Sequence, residues 1–396
     1  MYFYRIGDTL ASSFLPGLPF AAAEPGTPAL FLTERSGGPA AFRATHPHHL
    51  TEPAGIRWLN TGDGPALAPP LTAVDLHHPR WRDALVFFQP KPGKKRVHLL
   101  AVGDVGGTLL TALKLLGGDC ISAIGIRDLN ENTVARWTTE MGQIAWPWDY
   151  GSLPEVEAIS ESQLFDCDVF IFAAAKAIPA VGGEVKDVRM AQFAANRPLV
   201  EHFSKQAREA RFGGLFMVLS DPVDPLCKAA WLASNTAPDG TLDHRGLLPE
   251  QVQGFGLGVM NARAAYFARQ DSRFASFLTE GRSFGPHGRG LVIANSIDHY
   301  DDALSRELTE KVETANLQLR SLGFKPYVAP AVSSGAMQLL LALRGEWHCS
   351  SVPLGDVWFG VKNRFTPQGL EMEALPLPDA LFARLRETET LLKATV

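Results

Sequence analysis

One short run of this sequence has the residue types and spacing of an anion cradle. In Val97-His-Leu-Leu-Ala-Val-Gly-Asp-Val-Gly-Gly-Thr108 an apolar stretch leads into glycines at 103, 106 and 107, and Leu109, Leu110, Leu113 and Leu116 follow at helical spacing. Strand, glycine turn and helix in that order open a dinucleotide-binding βαβ unit. A glycine at 103 lets the backbone approach a pyrophosphate, and the unpaired N–H groups and positive dipole end of the helix favour its charge. The turn Gly103-Asp104-Val105-Gly106 reads G-x-x-G, because Ala101 stands where a full G-x-G-x-x-G has its first glycine. A strand is expected over Ile121–Ile126, ending at Arg127-Asp128. A carboxylate roughly twenty residues past the turn is placed to hydrogen-bond the ribose hydroxyls. Asp128 also repels a 2′-phosphate, which favours NAD over NADP, and Arg127 beside it tempers that preference. The same carboxylate could instead cap a helix starting near Asn130.

Around this unit the chain is ordinary in composition. It has 396 residues, 46% hydrophobic and 20% charged, with a net charge of −5. The length allows two or three domains. Nothing in the charge balance favours nucleic acid, no apolar stretch approaches a membrane span, and the N-terminus lacks a basic-then-apolar signal design. Cys120, Cys167, Cys227 and Cys349 are scattered without metal-ligand or disulfide spacing, so they are expected as small core residues in a reducing cytoplasm. No metal is expected.

Residues 1–93 read as a separate, β-rich module. Short apolar runs such as Ala29–Thr33 are broken by Pro16-Gly17, Pro25-Gly26, Gly37-Gly38-Pro39 and Gly62-Asp-Gly-Pro65. His46, His48 and His49, and the pair His77-His78, are expected on exposed loops, since no carboxylate or cysteine accompanies them at metal spacing. Gln89–Lys95 reads as a proline-stiffened linker. Beyond Asp128 strands and helices alternate. A helix is expected over Asn130–Met141, an apolar strand over Asp168–Ala174, and a loop over Ala175–Glu184 whose Pro and paired glycines suit a lid. A helical pattern covers Val185–Arg211, with Pro198 expected to kink or split it. Another strand, Gly214–Ser220, runs into Asp221-Pro-Val-Asp-Pro225 and a helix carrying Cys227 and Trp231.

The order of these pieces resembles the lactate and malate dehydrogenase family. The resemblance is carried by the glycine turn, Asp128, the lid followed by Arg189, Ser220-Asp-Pro-Val-Asp224, Gly254-Phe-Gly-Leu-Gly-Val-Met-Asn-Ala-Arg263 and Gly285-Pro-His-Gly288. Strand-like Asp356–Val361 and a helix over Pro378–Lys393 then end the chain, and the likeness spans about residues 95–396. It implies a Rossmann-type doubly wound parallel sheet over 94–222 and an α+β substrate domain over 223–396, preceded by the β-rich module 1–93. It also implies NAD as cofactor, held by Gly103, Asp104, Val105, Gly106, Asp128, Ala174 and Ser220, and a small carboxylate substrate. Hydride transfer to a 2-oxo acid leaves negative charge on oxygen and needs a proton there, which suits a histidine, and the resemblance gives that role to His287. It gives the bidentate grip on the substrate carboxylate to Arg263 and polarisation of the carbonyl to Arg189. Dimers or tetramers are implied as well.

The departures count as much. Met260 occupies the place of the carboxylate that orients the family's histidine, and a thioether is a weak acceptor. Asp221 replaces a neutral amide beside the substrate oxygen, and Pro286 replaces the acidic residue before His-Gly. We expect Asp221 to take over as partner of His287, with altered specificity that extends to a bulkier 2-hydroxy acid or an amine or imine. Two alternatives to a dehydrogenase stay open. One is an NAD(H)-binding sensor or scaffold without turnover. The other is a sugar-acting NAD enzyme of the same fold, for which Cys227 and His287 would have to bind a metal.

Overall fold

The computed structural model describes residues 1–35, 37–62, 64–176 and 188–396, with backbone alone for Val188 and Arg189. The expected lid, apart from Ala175 and Lys176, lies outside the described residues.

The first ninety residues form β1 (Tyr2–Ile6), β2 (Thr9–Ser13), β3 (Ala21–Ala22), β4 (Leu30–Thr33), β5 (Ala41–Ala44), α1 (His48–Thr51), β6 (Leu71–Asp75) and α2 (Trp81–Phe87). The alternating unit follows as β7 (Lys95–Leu100), α3 (Asp104–Leu116), β8 (Ile121–Arg127), α4 (Glu131–Gly142), β9 (Glu155–Ala158), β10 (Val169–Phe172), α5 (Val188–Glu209), β11 (Leu215–Val218), α6 (Val223–Asn235) and β12 (Val252–Gly254). The remainder is α7 (Leu257–Gln270), α8 (Phe277–Glu280), the hairpin β13 (Arg282–Phe284) and β14 (Val292–Ala294), and α9 (Asp302–Ser321). A π-helical turn at Pro330–Ala336 leads into α10 (Met337–Leu343), the meander β15 (His348–Leu354), β16 (Val357–Thr366) and β17 (Gly369–Met372), and α11 (Asp379–Lys393).

Strands β9-β8-β7-β10-β11-β12 lie side by side and all pair in parallel. That is the doubly wound order, and it reverses between β7 and β10, where such sheets open a crevice at the carboxyl ends of the strands. The sheet continues antiparallel through β15, β16 and β17 and meets β5 through Leu370 and Phe42. The β-rich N-terminal segment is therefore an extension of the same sheet. Phe42, Trp58, Leu370, Leu381 and Leu385 belong to one buried cluster, so β5 and α11 share a core although the chain enters them far apart.

Three expectations change on contact with the fold. Gly106 and Gly107 sit inside the first turn of α3, not in the loop before it. They are small because neighbours press on them: a Cβ at Gly106 would lie 2.0 Å from the Ala101 carbonyl oxygen, and one at Gly107 2.1 Å from the Trp137 ring. Pro198 does not split its helix; α5 runs through it. His48, His49 and His78 are buried, not exposed. His49 takes a backbone N–H from Thr45 and gives its own to the Trp58 carbonyl, and burial holds its pKa down at about 3.

Candidate active site

The loop between β7 and α3 is pinned from two sides. Ala101 adopts a left-handed φ of 72°, at the place where the full fingerprint has glycine. That conformation costs a side-chain-bearing residue about 1 kcal/mol. The Asp128 carboxylate accepts from Val102 N at 2.9 Å and from Asn130 N at 3.1 Å, and the Trp137 indole donates to the Val102 carbonyl at 2.9 Å. Asp128 stands at the end of β8 beside the turn and braces the start of α4, whose own N-cap is Asn130.

Gly103 is the N-cap of α3, and a Cβ built on it meets nothing within 4 Å. Open space in front of a glycine at a helix N-terminus fits a pyrophosphate, since the first N–H groups of the helix lack carbonyl partners. Asp104 puts a negative charge at the same place and is matched by Lys325 at 3.0 Å, an exposed ion pair across to the loop after α9. Ala174 and Ser220 meet at the ends of β10 and β11, where the Ser220 hydroxyl donates to the Ala174 carbonyl at 2.8 Å.

A cavity of about 610 Å³ runs from Asp104 and Val105 at the head of α3 to Asp221, Arg263 and His287. The turn Gly285–Gly288 carries His287, with φ positive at both glycines. The imidazole is fixed through Nδ1, which lies 3.0 Å from the Gly256 carbonyl oxygen. A carbonyl only accepts, so Nδ1 carries the proton and the other ring nitrogen, Nε2, is left for chemistry. Gly256 is glycine for this contact: a Cβ there would lie 2.7 Å from that of His287. Ser334 in the π-helical turn donates to the same carbonyl at 2.8 Å and accepts from Val259 N at 2.8 Å.

Asp221 does not orient the ring. Its Oδ1 is 3.9 Å from Nε2, beyond a hydrogen bond and on the side away from Nδ1. The carboxylate that grips this segment is Asp224, fully buried, which accepts from His287 N at 3.3 Å and from the Ser351 hydroxyl. Burial pushes the Asp224 carboxyl upward against those hydrogen bonds. Arg263 points inward from α7, and its Nη1 touches only Met260 Sδ at 3.7 Å and the Val312 carbonyl at 3.4 Å. No carboxylate among the described residues is within ion-pair distance of it. Burial lowers its pKa, and the charge of Asp221 partly restores it.

Sequence comparison finds an L-lactate dehydrogenase of Corynebacterium jeikeium (strain K411), 24% identical over 261 residues, covering 64% of this chain and 74% of that protein. Among solved structures, the minor L-lactate dehydrogenase of Enterococcus mundtii superposes with a TM-score of 0.62 at 19% identity, over 76% of this chain and 97% of the other. The malate dehydrogenase of Archaeoglobus fulgidus in complex with NADH gives 0.60 at 16% identity, over 76% and 98%. The chain is similar to lactate and malate dehydrogenases and shares their fold. No family model matches it.

The expected residues His287, Arg263, Asp221, Asp104 and Val105 share one cavity; Gly103 directly precedes Asp104, and Asp128 braces the turn through Val102 N. Arg189 falls in the first turn of α5, and its side chain lies outside the described residues. Asn196 had gone unnoticed in the sequence. Fully buried, it donates to the Asp221 carbonyl at 2.8 Å and accepts from Lys176 N at 2.9 Å, so it ties Lys176 to the Asp221 turn. An amide on the apolar face of a helix was the only signal it gave. Cys227 is fully buried as a neutral thiol, and no group of three or more metal-capable side chains occurs among the described residues.

Proposed function

We propose that this chain is an NAD-dependent oxidoreductase of lactate/malate dehydrogenase type, acting at carbon 2 of a 2-hydroxy/2-oxo acid-like substrate with altered specificity. The observation that carries the proposal is the shared cavity, in which His287 and Arg263 face the space that continues to the head of α3. A bound nicotinamide supplies or accepts the hydride. Gly103 and the α3 N-terminus hold the pyrophosphate, and Asp128 faces the ribose. Ala174 and Ser220 form the strand-end wall. Arg263, half-buried and without a carboxylate partner among the described residues, takes the substrate carboxylate in paired charge-assisted bonds. His287, held by Nδ1, presents Nε2 to give or take the proton at the substrate heteroatom. Arg189 polarises the carbonyl. The solved NADH complex of the Archaeoglobus fulgidus malate dehydrogenase supports the cofactor.

A second reading, nucleotide binding without turnover as a sensor or scaffold, is favoured by one observation: Met260 fills the place of a carboxylate that would orient His287 and stabilise its charged form. Incubation with NAD and a panel of 2-hydroxy acids, followed by absorbance of reduced nicotinamide, separates the two. Turnover on any member supports the dehydrogenase, whereas tight NADH binding with none supports the sensor. No helix among the described residues is long and apolar enough to cross a membrane. A cytoplasmic dimer or tetramer, divided at 93/94 and 222/223, belongs to the same proposal.

A further inference from the structure

The cavity holds opposite charges that do not neutralise each other. The Asp221 side chain is 43% exposed, and its carboxylate accepts no hydrogen bond from any described residue; His287 Nε2 lies 3.9 Å from it. The guanidinium of Arg263 lines the same space and is not ion-paired to Asp221. A cavity with a guanidinium on one side and a carboxylate beside the proton-transfer group, not ion-paired to each other, complements a zwitterion. We infer that Asp221 selects a substrate with nitrogen at carbon 2, so that the site interconverts a 2-amino acid and its 2-imino acid in preference to a 2-hydroxy and 2-oxo acid. The inference rests on the dehydrogenase reading above.

The physical reason is the sign of the charge at the reacting centre. Oxygen chemistry at carbon 2 develops an alkoxide, which a neighbouring carboxylate repels in a site of reduced dielectric. Nitrogen chemistry carries positive charge on both sides, as ammonium and as iminium, and the same carboxylate attracts it. Asn196 fixes the Asp221 backbone by a 2.8 Å bond to its carbonyl, and Asp221 lines the cavity wall. In the oxidative direction the ammonium first gives one proton to His287 Nε2. The carbon–hydrogen bond then breaks, its electron pair leaves with the hydrogen as hydride for the oxidised nicotinamide, and the carbon–nitrogen double bond forms from the nitrogen lone pair. One amino acid and one NAD⁺ give one iminium acid, one NADH and one proton. The Asp221 charge offsets the cation at nitrogen in both states and steadies the imidazolium that holds the released proton.

The test uses the full chain and matched probes: alanine, leucine, phenylalanine and aspartate in both enantiomers, with the 2-hydroxy acid of each side chain. Binding is read by calorimetry in the presence of NAD⁺, and turnover by NADH formation. NADH consumption is followed in reverse with each 2-oxo acid, with and without ammonium. The expected result is at least tenfold tighter binding and faster turnover for one amino acid than for its hydroxy partner, with the preference lost or inverted in Asp221→Asn and Asp221→Ser. Unchanged NADH affinity certifies that the variants are folded. A hydroxy acid preferred by the unaltered protein, with ammonium without effect, overturns the inference and leaves the dehydrogenase reading standing. Binding of neither class by protein that still binds NADH overturns both.

Discussion

The imidazole of His287 is held by the backbone carbonyl of Gly256, 3.0 Å from Nδ1, and not by a carboxylate. A carbonyl fixes the tautomer as a carboxylate does, but it brings no full charge to stabilise the imidazolium. As the proposed proton-transfer group, His287 is therefore well aimed and weakly supported. His287→Gln should lower turnover by about 10²–10⁴-fold, the usual worth of a positioned acid or base. Steady-state rates and NADH fluorescence titration on the same sample check this, with NADH affinity unchanged. Loss of both together would place His287 in nucleotide binding instead.

Ser334 is the second claimant on that carbonyl. Its hydroxyl donates to Gly256 O and accepts from Val259 N, both at 2.8 Å. Ser334→Ala removes the acceptor of a buried N–H, which costs about 1–3 kcal/mol. Urea unfolding should show that loss, with a smaller fall in turnover because the bond from His287 to Gly256 remains.

Gly103 and Gly106 look alike in the sequence and should behave oppositely. Gly103 has φ −72°, ordinary for any residue, and open space where a Cβ would go. A Cβ at Gly106 would instead lie 2.0 Å from the Ala101 carbonyl oxygen. Gly103→Ala should fold and melt as the parent does while losing NADH affinity at least about tenfold, because the methyl group fills the path of close backbone approach to the pyrophosphate. Gly106→Ala should fold poorly or not at all. Thermal melts beside NADH titrations decide it, and an alanine at 103 that leaves NADH binding intact removes the pyrophosphate assignment.

Much of the site was legible because its signals are local. The glycine turn, Asp128 and the spacing of Arg263 and His287 each depend on a short stretch of chain; Asp104, Val105, Arg263 and His287 line one cavity, while Asp128 braces the turn beside Asp104. What was missed depends on contacts between distant segments. Asn196 matters because Asp221 and Lys176 come to it, and Ser334 because a π-helical turn brings it to a carbonyl 78 residues earlier in the chain. His48, His49 and His78 read as loop residues, but the His49 ring packs on His48 and on Trp58 of the shared core, and His78 packs on His244 far along the chain. Pro198 lies inside an unbroken α5, where packing outweighs the local penalty. Asp221 beside His287 Nε2, and not Nδ1, is a question of which way a ring faces, and spacing carries no information about that.

Glu250 gives the fold its own pH dependence, away from the active site. It is fully buried, and its carboxylate accepts from Ala40 N at 3.1 Å and Ala41 N at 3.2 Å, joining the start of β5 to the turn before β12. Burial pushes its pKa from 4.5 up to about 7. A folded-state pKa above the unfolded one means that the contribution to stability is complete below about pH 4.5 and is lost as pH rises through about 7. The loss amounts to about 3 kcal/mol at one pKa unit per 1.36 kcal/mol. Buried His49, His78 and His348, with pKa values lowered to about 3, 3 and 4, work the other way: their contribution is present above the ordinary 6.5 and is lost as pH falls. The two effects overlap, so the quantity to measure is the difference between the parent and Glu250→Gln in urea unfolding free energy across pH 5–9. The variant cannot ionise there, and its advantage over the parent should grow with pH up to about 8 and then level off. Curves that stay parallel throughout would mean that the carboxyl titrates normally in the fold.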